Sequence, residues 1–299
     1  MKIAGILFCV AIFLWNGSAK AEKSAEFFAT YGEYNAQGRR LLDNIEPKTG
    51  LVELPDGVRL DLRGKFYYLD REDAVYVLTE MWGNPPTAAV GTLGMVFPIQ
   101  HDPLGERSWG IKLEMDKIGY VDDTDAASID YDELLRDMKA EMAAANEARV
   151  KDGFPPITLL GWASPPVYDS ANKRLHWARE LQFGDDVEKT LNYDVRFLGR
   201  EGVFIMGYIA GMGQLPEIKQ SLDEVLALPS FAEGKRYSDY VPGADTVAAV
   251  GVGGLIAGKA AIKTGLVAVA LVFLKKFGVF LLVPLLWIWR VIRGKSASS

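Results

Sequence analysis

Cysteine is almost missing from this chain. Cys9 is its one thiol, and it lies inside an apolar N-terminal run. A mature protein without that run can form no internal disulfide, and it has neither a thiolate nucleophile nor a thiolate metal site. Cys9 follows Phe8 in mid-run rather than a small residue at the run's end, which argues against lipid attachment. Histidine is nearly as scarce. His101 and His176 are the only two, so a zinc site would have to recruit carboxylates as further ligands. No serine stands in a nucleophile-elbow context, and nothing repeats at a fixed period. Positive charge is also short in the middle of the chain. Nine of the 33 basic residues lie in the two ends, which leaves 24 against 39 acidic residues, or −15, for residues 22–246. A domain of that sign is a poor nucleic-acid binder and is repelled by anionic headgroups.

The two ends are what the chain has in their place. Lys2, the apolar run Ile3 to Trp15 and the small-x-small site Ala19-Lys20-Ala21 have the three parts of a secretory signal. The run is too short to span a bilayer, which takes roughly 20 apolar residues. From Val247 onward there is no Asp or Glu. Two apolar stretches, interrupted by Lys275-Lys276, reach Trp289 and are followed by Arg290, Arg293 and Lys295. This reads as a membrane anchor at Val247 to Trp289 with a basic tail. A single span with an inner-surface helix fits it, and so does a hairpin; the positive-inside rule favours a cytoplasmic tail and the single span. Lys259 and Lys263 lie one turn apart, placed at an interface or against a partner helix. The expected organisation is a signal peptide at 1–21, an extracytoplasmic domain at 22–246 and the anchor at 247–299. That places the protein in the cytoplasmic membrane with its main domain in the periplasm.

The middle alternates short strands with a few helices. Ser24 to Ile45 reads as a weak helix. Thr49 to Leu54 and Val58 to Leu62 read as a hairpin joined by Pro55-Asp56-Gly57. Helices are expected over Arg71 to Met81, Asp130 to Lys151 and Leu215 to Leu228, the last burying Leu215, Ile218, Leu222, Val225 and Leu226. Strands are expected at Thr92 to Pro98, Trp109 to Met115, Ile157 to Ala163, Arg174 to Phe183, Thr190 to Leu198 and Val203 to Ala210. The fold class is α+β: an antiparallel sheet with flanking helices, plus C-terminal membrane helix or helices.

Catalytic chemistry finds little support. The acidic run from Asp122 to Glu133 fails the EF-hand spacing, because Thr124, Ala126 and Ala127 stand where carboxylates and the turn glycine are required. A solvated loop with a helix cap explains it better. His101 beside Asp102 could form a base and its acid. His176 shares a strand face with Glu180 and Gln182 and reads as solvent-facing. Gly211-Met212-Gly213 is a strand-to-helix turn without the third glycine of a phosphate loop. Two tryptophans sit beside rigid bends, Trp82 with Asn84-Pro85-Pro86, and Trp162 with Pro165-Pro166 and Tyr168. If these converge, Trp82, Asn84, Trp162 and Tyr168 line a ligand groove. The plainer alternative makes both tryptophans core anchors at element ends. No catalytic residue, metal or cofactor is assigned.

Several strings carry a resemblance. Met81-Trp82-Gly83-Asn84-Pro85, Gly161-Trp162-Ala163 with Pro166 and Tyr168-Asp169, Leu191-Asn192-Tyr193-Asp194-Val195-Arg196, and Gly211-Met212 through Leu215-Pro216-Glu217-Ile218 are among them. With Leu175 to Gly184 and Gly234 with Arg236-Tyr237, they resemble the membrane-anchored bacterial family catalogued as domain of unknown function 2167. The resemblance covers nearly the whole mature chain and implies an envelope location. It brings no activity and no functional residues. More loosely, the sheet ending in a helix is similar to the PsbP-like sandwich, as fold analogy only. The expectation is a membrane-anchored, extracytoplasmic binding or interaction module, with a protein partner in the envelope as one option. The alternatives are an envelope hydrolase using His101 and Asp102, and a subunit of a membrane complex.

Overall fold

The structure is a computed structural model that describes residues 23–258 apart from Asp152. The expected signal peptide and the chain from Lys259 onward, including Lys263 and the apolar run to Trp289, lie outside the described residues. Among the described residues, no helix is long and apolar enough to cross a membrane.

The strands and α-helices that matter for the site follow in order among the described residues. They are α1 (Ala36–Leu42), β1 (Leu51–Glu53), β2 (Val58–Asp61), β3 (Phe66–Leu69), α2 (Arg71–Tyr76), β4 (Thr92–Pro98), β5 (Gly110–Asp116) and α3 (Tyr131–Lys151). After them come β6 (Ile157–Asp169), β7 (Arg174–Phe183), β8 (Thr190–Leu198), β9 (Val203–Gly211), α4 (Leu215–Leu226), β10 (Pro229–Phe231) and α5 (Val252–Ala257). Seven strands form one antiparallel sheet in the order β3-β4-β5-β9-β8-β7-β6, and β1-β2-β10 form a small second sheet. The α+β class read from the sequence is the class observed.

Local chemistry sets the ends of these elements. The β1–β2 hairpin turns through Asp56 (φ 63°) and Gly57 (φ 75°), left-handed conformations that Asp tolerates and Gly adopts freely. Asn35 caps α1 by accepting from the backbone N–H groups of Gln37 and Gly38, and Asp70 caps α2 in the same way. Asp130 caps α3, accepting from the amides of Asp132 and Glu133.

The large sheet is covered on its first face and at both flanks of its second. Its first face carries Ile111, Leu113, Tyr193, Val195, Phe204, Met206 and Tyr208, packed beneath the small sheet and α4. The second face is divided. Tyr67, Leu69, Met95 and Phe97 of β3 and β4 pack under α2 and the N-terminal segment. At the other end, Leu159, Leu175, Trp177 and Leu181 pack under α3 and α5.

Several elements differ from expectation. The N-terminal helix is broken by a 3-10 turn at Tyr31–Glu33 before α1 begins. β3 and β10 are strands that the hydropathy pattern does not reveal. All four residues of β3 are buried, so no alternation marks it. β6 continues through Pro165-Pro166 to Asp169, with register shifts along its ladder with β7. It is the sheet's outer strand, where missing N–H donors and bulges cost little. On α4, Ile218, Val225 and Leu226 are buried, while Leu215 and Leu222 lie at the margin of the core.

The packed core also reaches past Thr246. The backbone N–H of Ala248 donates to Tyr120 O (2.7 Å), and the Asp125 carboxylate accepts from the amides of Val252 (2.9 Å) and Gly253 (3.0 Å). Val252, Leu255 and Ile256, which hydropathy groups with the anchor, are at most 1% exposed. Ile218→Ala and Leu255→Ala should each lower stability by about 2–5 kcal/mol, and Leu222→Ala by less, because only the first two leave a cavity in a closed core. Urea denaturation of the three variants checks the ranking.

Candidate functional site

Strand register lays out the middle of the second face in rows. One row runs Gly110, Ile209, Asn192 and Arg179, across β5, β9, β8 and β7. The next runs Lys112, Gly207, Asp194 and Trp177, and the third Glu114, Ile205, Arg196 and Leu175. Directly opposed residues share a face, so these side chains lie together, between the two apolar clusters. A charged strip therefore occupies the centre of a sheet whose flanks are apolar.

The strip is largely paired. Lys112 meets Glu114 at 3.0 Å and donates to Ala88 O at 2.8 Å. Arg179 meets Asp194 at 2.7 Å, with Asp194 9% exposed. Arg196 is held differently: its guanidinium lies 5.1 Å from the Trp177 ring centroid, and its Nε has no acceptor. Arg179 Nε and Trp177 Nε1 are likewise buried without an acceptor. Burial pulls the Arg196 pKa below the ordinary arginine value, and Arg179 adds to this, while Asp194, Asp116 and Glu114 oppose it. Arginine stays cationic under such shifts.

The strip is open above its middle. A Cβ built on Gly207, in the central strand β9, would meet nothing within 4 Å. A cleft of about 610 Å³ lies between Pro85, Pro86 and Thr87 on one side and Met142, Ala145, Asn146, Arg149, Phe154 and Ile157 on the other, and no residue of the strip lines it. The first wall belongs to the turn that Lys112 of β5 holds, and the second to α3 and the lead-in to β6. By strand order β9, β8 and β7 lie between β5 and β6. The trough is the strip itself, open over Gly207 and flanked by the two apolar clusters. No hydroxyl, thiol or imidazole occurs in its three rows; its polar groups are Asn192, Arg179, Lys112, Asp194, Trp177, Glu114 and Arg196.

The histidines lie on the other side of the sheet. His101 Nε2 is 2.7 Å from Glu217 Oε1, to which Trp109 Nε1 also donates. Burial pushes the Glu217 pKa up, but these two hydrogen bonds and the nearby charges of His101 and Arg107 leave it lowered. Trp109 packs on Tyr208, Tyr208 on Tyr193, and Tyr193 on His176, with ring centroids 5.4, 5.5 and 6.0 Å apart. Beside Glu217 opens a cleft of about 340 Å³ lined in part by Lys65, Gln100 and Glu224.

His101 and Asp102 form no acid–base pair. Both Asp102 oxygens are bound, by the hydroxyls of Thr30 and Tyr34 and the amide of Leu104, while His101 turns to Glu217. His176 is half-buried against the Tyr193 hydroxyl (3.0 Å) rather than solvent-facing. Nor are Trp82, Asn84, Trp162 and Tyr168 brought together. Trp82 belongs to the cluster under α2 and donates to Pro103 O. Asn84 donates to Leu78 O. Trp162 lies beneath α3 and donates to Tyr131 O, and the Tyr168 hydroxyl binds Asp123 at 2.6 Å. Pro85 and Pro86, next to Trp82, line the cleft beside α3.

The acidic run is put to structural use. Asp122 binds Thr124, Asp123 gathers Tyr168, Lys173 and Tyr237, Asp125 holds the start of α5, and Asp130 caps α3. Among the described residues, no group of three or more His, Cys, Asp or Glu side chains is placed to hold a metal ion.

Residues 46–286 match the family described as Protein of unknown function (DUF2167). The chain belongs to this family. None of the curated proteins matches it. Among solved structures, it is similar to the solution structure of cyanobacterial PsbP (CyanoP) from Synechocystis sp. PCC 6803. Identity there is 11% and the TM-score 0.35, over 63% of this chain and 92% of that one. That likeness assigns no residue a role.

The trough was the feature of this DUF2167 protein least visible beforehand. Its one sequence signal is β8, where Asn192, Asp194 and Arg196 alternate with apolar residues although the strand is central. Two outcomes test the description of this site. Asp194→Ala, which leaves Arg179 and Arg196 buried without their carboxylate, should cost about 3–5 kcal/mol in chemical denaturation. His176 should make the protein acid-sensitive. Burial and the nearby Arg174 charge hold its pKa below the ordinary 6.5. The folded state thus resists protonation, and stability is lost as pH falls from 6.5 through the depressed value. Denaturation midpoints measured between pH 8 and pH 5 should show this slope, and His176→Gln should flatten it.

Proposed function

We propose that this protein is a membrane-anchored, extracytoplasmic binding module whose binding surface is the trough over Gly207. The observation that carries the reading is the open, mixed-charge strip in the middle of a sheet otherwise covered on both faces. Buried charge in such a place is costly to fold around. The engagement of Asp102 by Thr30 and Tyr34 weighs against the hydrolase alternative. The anchored, extracytoplasmic part of the reading rests on the sequence of the two ends: the signal-like start and the acid-free, lysine-punctuated apolar tail.

Two measurements test it. Added protease should digest the main domain in spheroplasts and spare it in intact cells; protection in spheroplasts would refute the location. Native mass spectrometry of the protein isolated from its own cells should show a small-molecule adduct, and Gly207→Val should lose it. Val enters open space at a position suited to a β-branched residue, so the variant should melt at or above the wild-type temperature. Equal adducts on both proteins, or none on either, would remove the trough as the binding surface.

A further inference from the structure

We infer that the cleft between the Pro85–Pro86 turn and the C-terminal half of α3 binds a small carboxylate with an apolar body, its head on Arg149. This is a second site, separate from the charged strip, and it stands or falls apart from the trough.

The sign of the head follows from the charge of the lining. Acidic residues outnumber basic ones by 15 over residues 22–246. Yet among the described residues no carboxylate lines this cleft, and its one charged side chain is Arg149. That arginine is held in place before any ligand arrives. Its Nε donates to Pro155 O at 2.6 Å. Its guanidinium carbon lies 5.4 Å from the Phe154 ring centroid and 5.7 Å from that of Phe183. Two rings and one backbone bond together orient the guanidinium plane. Among the described residues, its two outer nitrogens meet no acceptor. A carboxylate can take both at once through its two oxygens. The fold has already ordered this side chain, so binding does not carry that cost.

The rest of the lining sets the body. Pro85, Pro86, Met142, Ala145, Phe154 and Ile157 offer apolar surface, and the cleft is about 610 Å³, within the range of small-molecule sites. Asn146 has both ends of its amide bound to Ile157: Nδ2 donates to its O, and Oδ1 accepts from its N–H, each at 2.8 Å. That pair fastens α3 to the start of β6. The facing turn is fastened too, by Lys112 Nζ on Ala88 O at 2.8 Å. Both walls therefore stand without a ligand between them. The head is limited to one charge. One arginine answers one negative charge, and Arg149 lies in the last turn of α3. The outer carbonyls of a helix C-terminus disfavour a second negative charge there. A carboxylate thus suits the site better than a phosphate dianion, and a bare inorganic ion would leave the apolar surface unused.

The test is isothermal titration of the full chain in neutral-detergent micelles with 4-phenylbutanoate, each probe corrected by titration into protein-free micelles. Binding should be saturable. Acetate, 4-phenylbutanol, 4-phenylbutylammonium and 4-phenylbutyl phosphate should each bind at least tenfold more weakly. Arg149→Gln should weaken 4-phenylbutanoate at least tenfold, and Arg149→Lys, which keeps the charge without the fork, by less. Ala145→Phe should fill the cleft and abolish binding. Ala145 is exposed on α3, so this variant should melt like wild type. Gly207→Val should bind 4-phenylbutanoate like wild type, which separates this site from the trough. No saturable binding, equal affinity for 4-phenylbutylammonium, or wild-type affinity in both Arg149→Gln and Ala145→Phe would overturn the proposal. Equal affinity for the phosphate would overturn the assigned head group. Binding lost in Gly207→Val but kept in Arg149→Gln would place the probe in the trough and refute the cleft.

Discussion

β8 faces two different environments, and the rest of the domain is arranged around that fact. Leu191, Tyr193, Val195 and Phe197 point into the core shared with α4 and the small sheet. Asn192, Asp194 and Arg196 point the other way, to a face that helices cover only at its flanks. A one-residue slip in register would exchange the two sets and bury three polar side chains in the main core. The long ladders of β8 with β7 and β9 therefore fix the apolar core and the charged strip in one step. The helices on the second face are confined to the two flanks because only there is the sheet apolar.

Charge elsewhere in the domain serves to hold chain segments together. The acidic stretch before α3 looks in the sequence like a single solvated patch, yet its members act separately. Asp123 joins β6, the turn before β7 and the segment after β10 through Tyr168, Lys173 and Tyr237. Asp125 holds the first turn of α5 by its free amides, where a carboxylate offsets the unsatisfied donors of a helix start. Farther on, Arg200 forms a two-pronged pair with Asp245. These contacts tie residues 237–257 down to the sheet, so the last described helix is part of the domain's packing.

Legibility from sequence followed how far local pattern agreed with final burial. The β1–β2 hairpin, α3 and strands β7 to β9 were readable because turn residues, caps and alternation all pointed the same way. β3 was hidden because Phe66 to Leu69 is buried throughout. The outer part of β6 was hidden because Pro165-Pro166 reads as a stop, which holds for a central strand and not for an edge. Sites were harder. Adjacency in sequence suggested His101 with Asp102, but each found a distant partner instead, Glu217 for His101 and Thr30 and Tyr34 for Asp102. The trough draws on β5, β7, β8 and β9, so no local string announces it. What the sequence did show, in β8, was polar residues where a central strand should be apolar on both sides.

The strand order also bears on how the sheet comes together in time. β6, β7, β8 and β9 are consecutive neighbours joined by short turns, so their pairing closes only small loops. β5 reaches β9 only after a connection that runs from Asp116 to Val203, and closing it carries a larger entropic cost. The four-strand meander is thus the inexpensive half to assemble, and the β3-β4-β5 half docks onto its β9 edge. That seam runs between Lys112 and Gly207, beneath the open space of the trough, so the floor of the trough is complete only once the slower half has arrived.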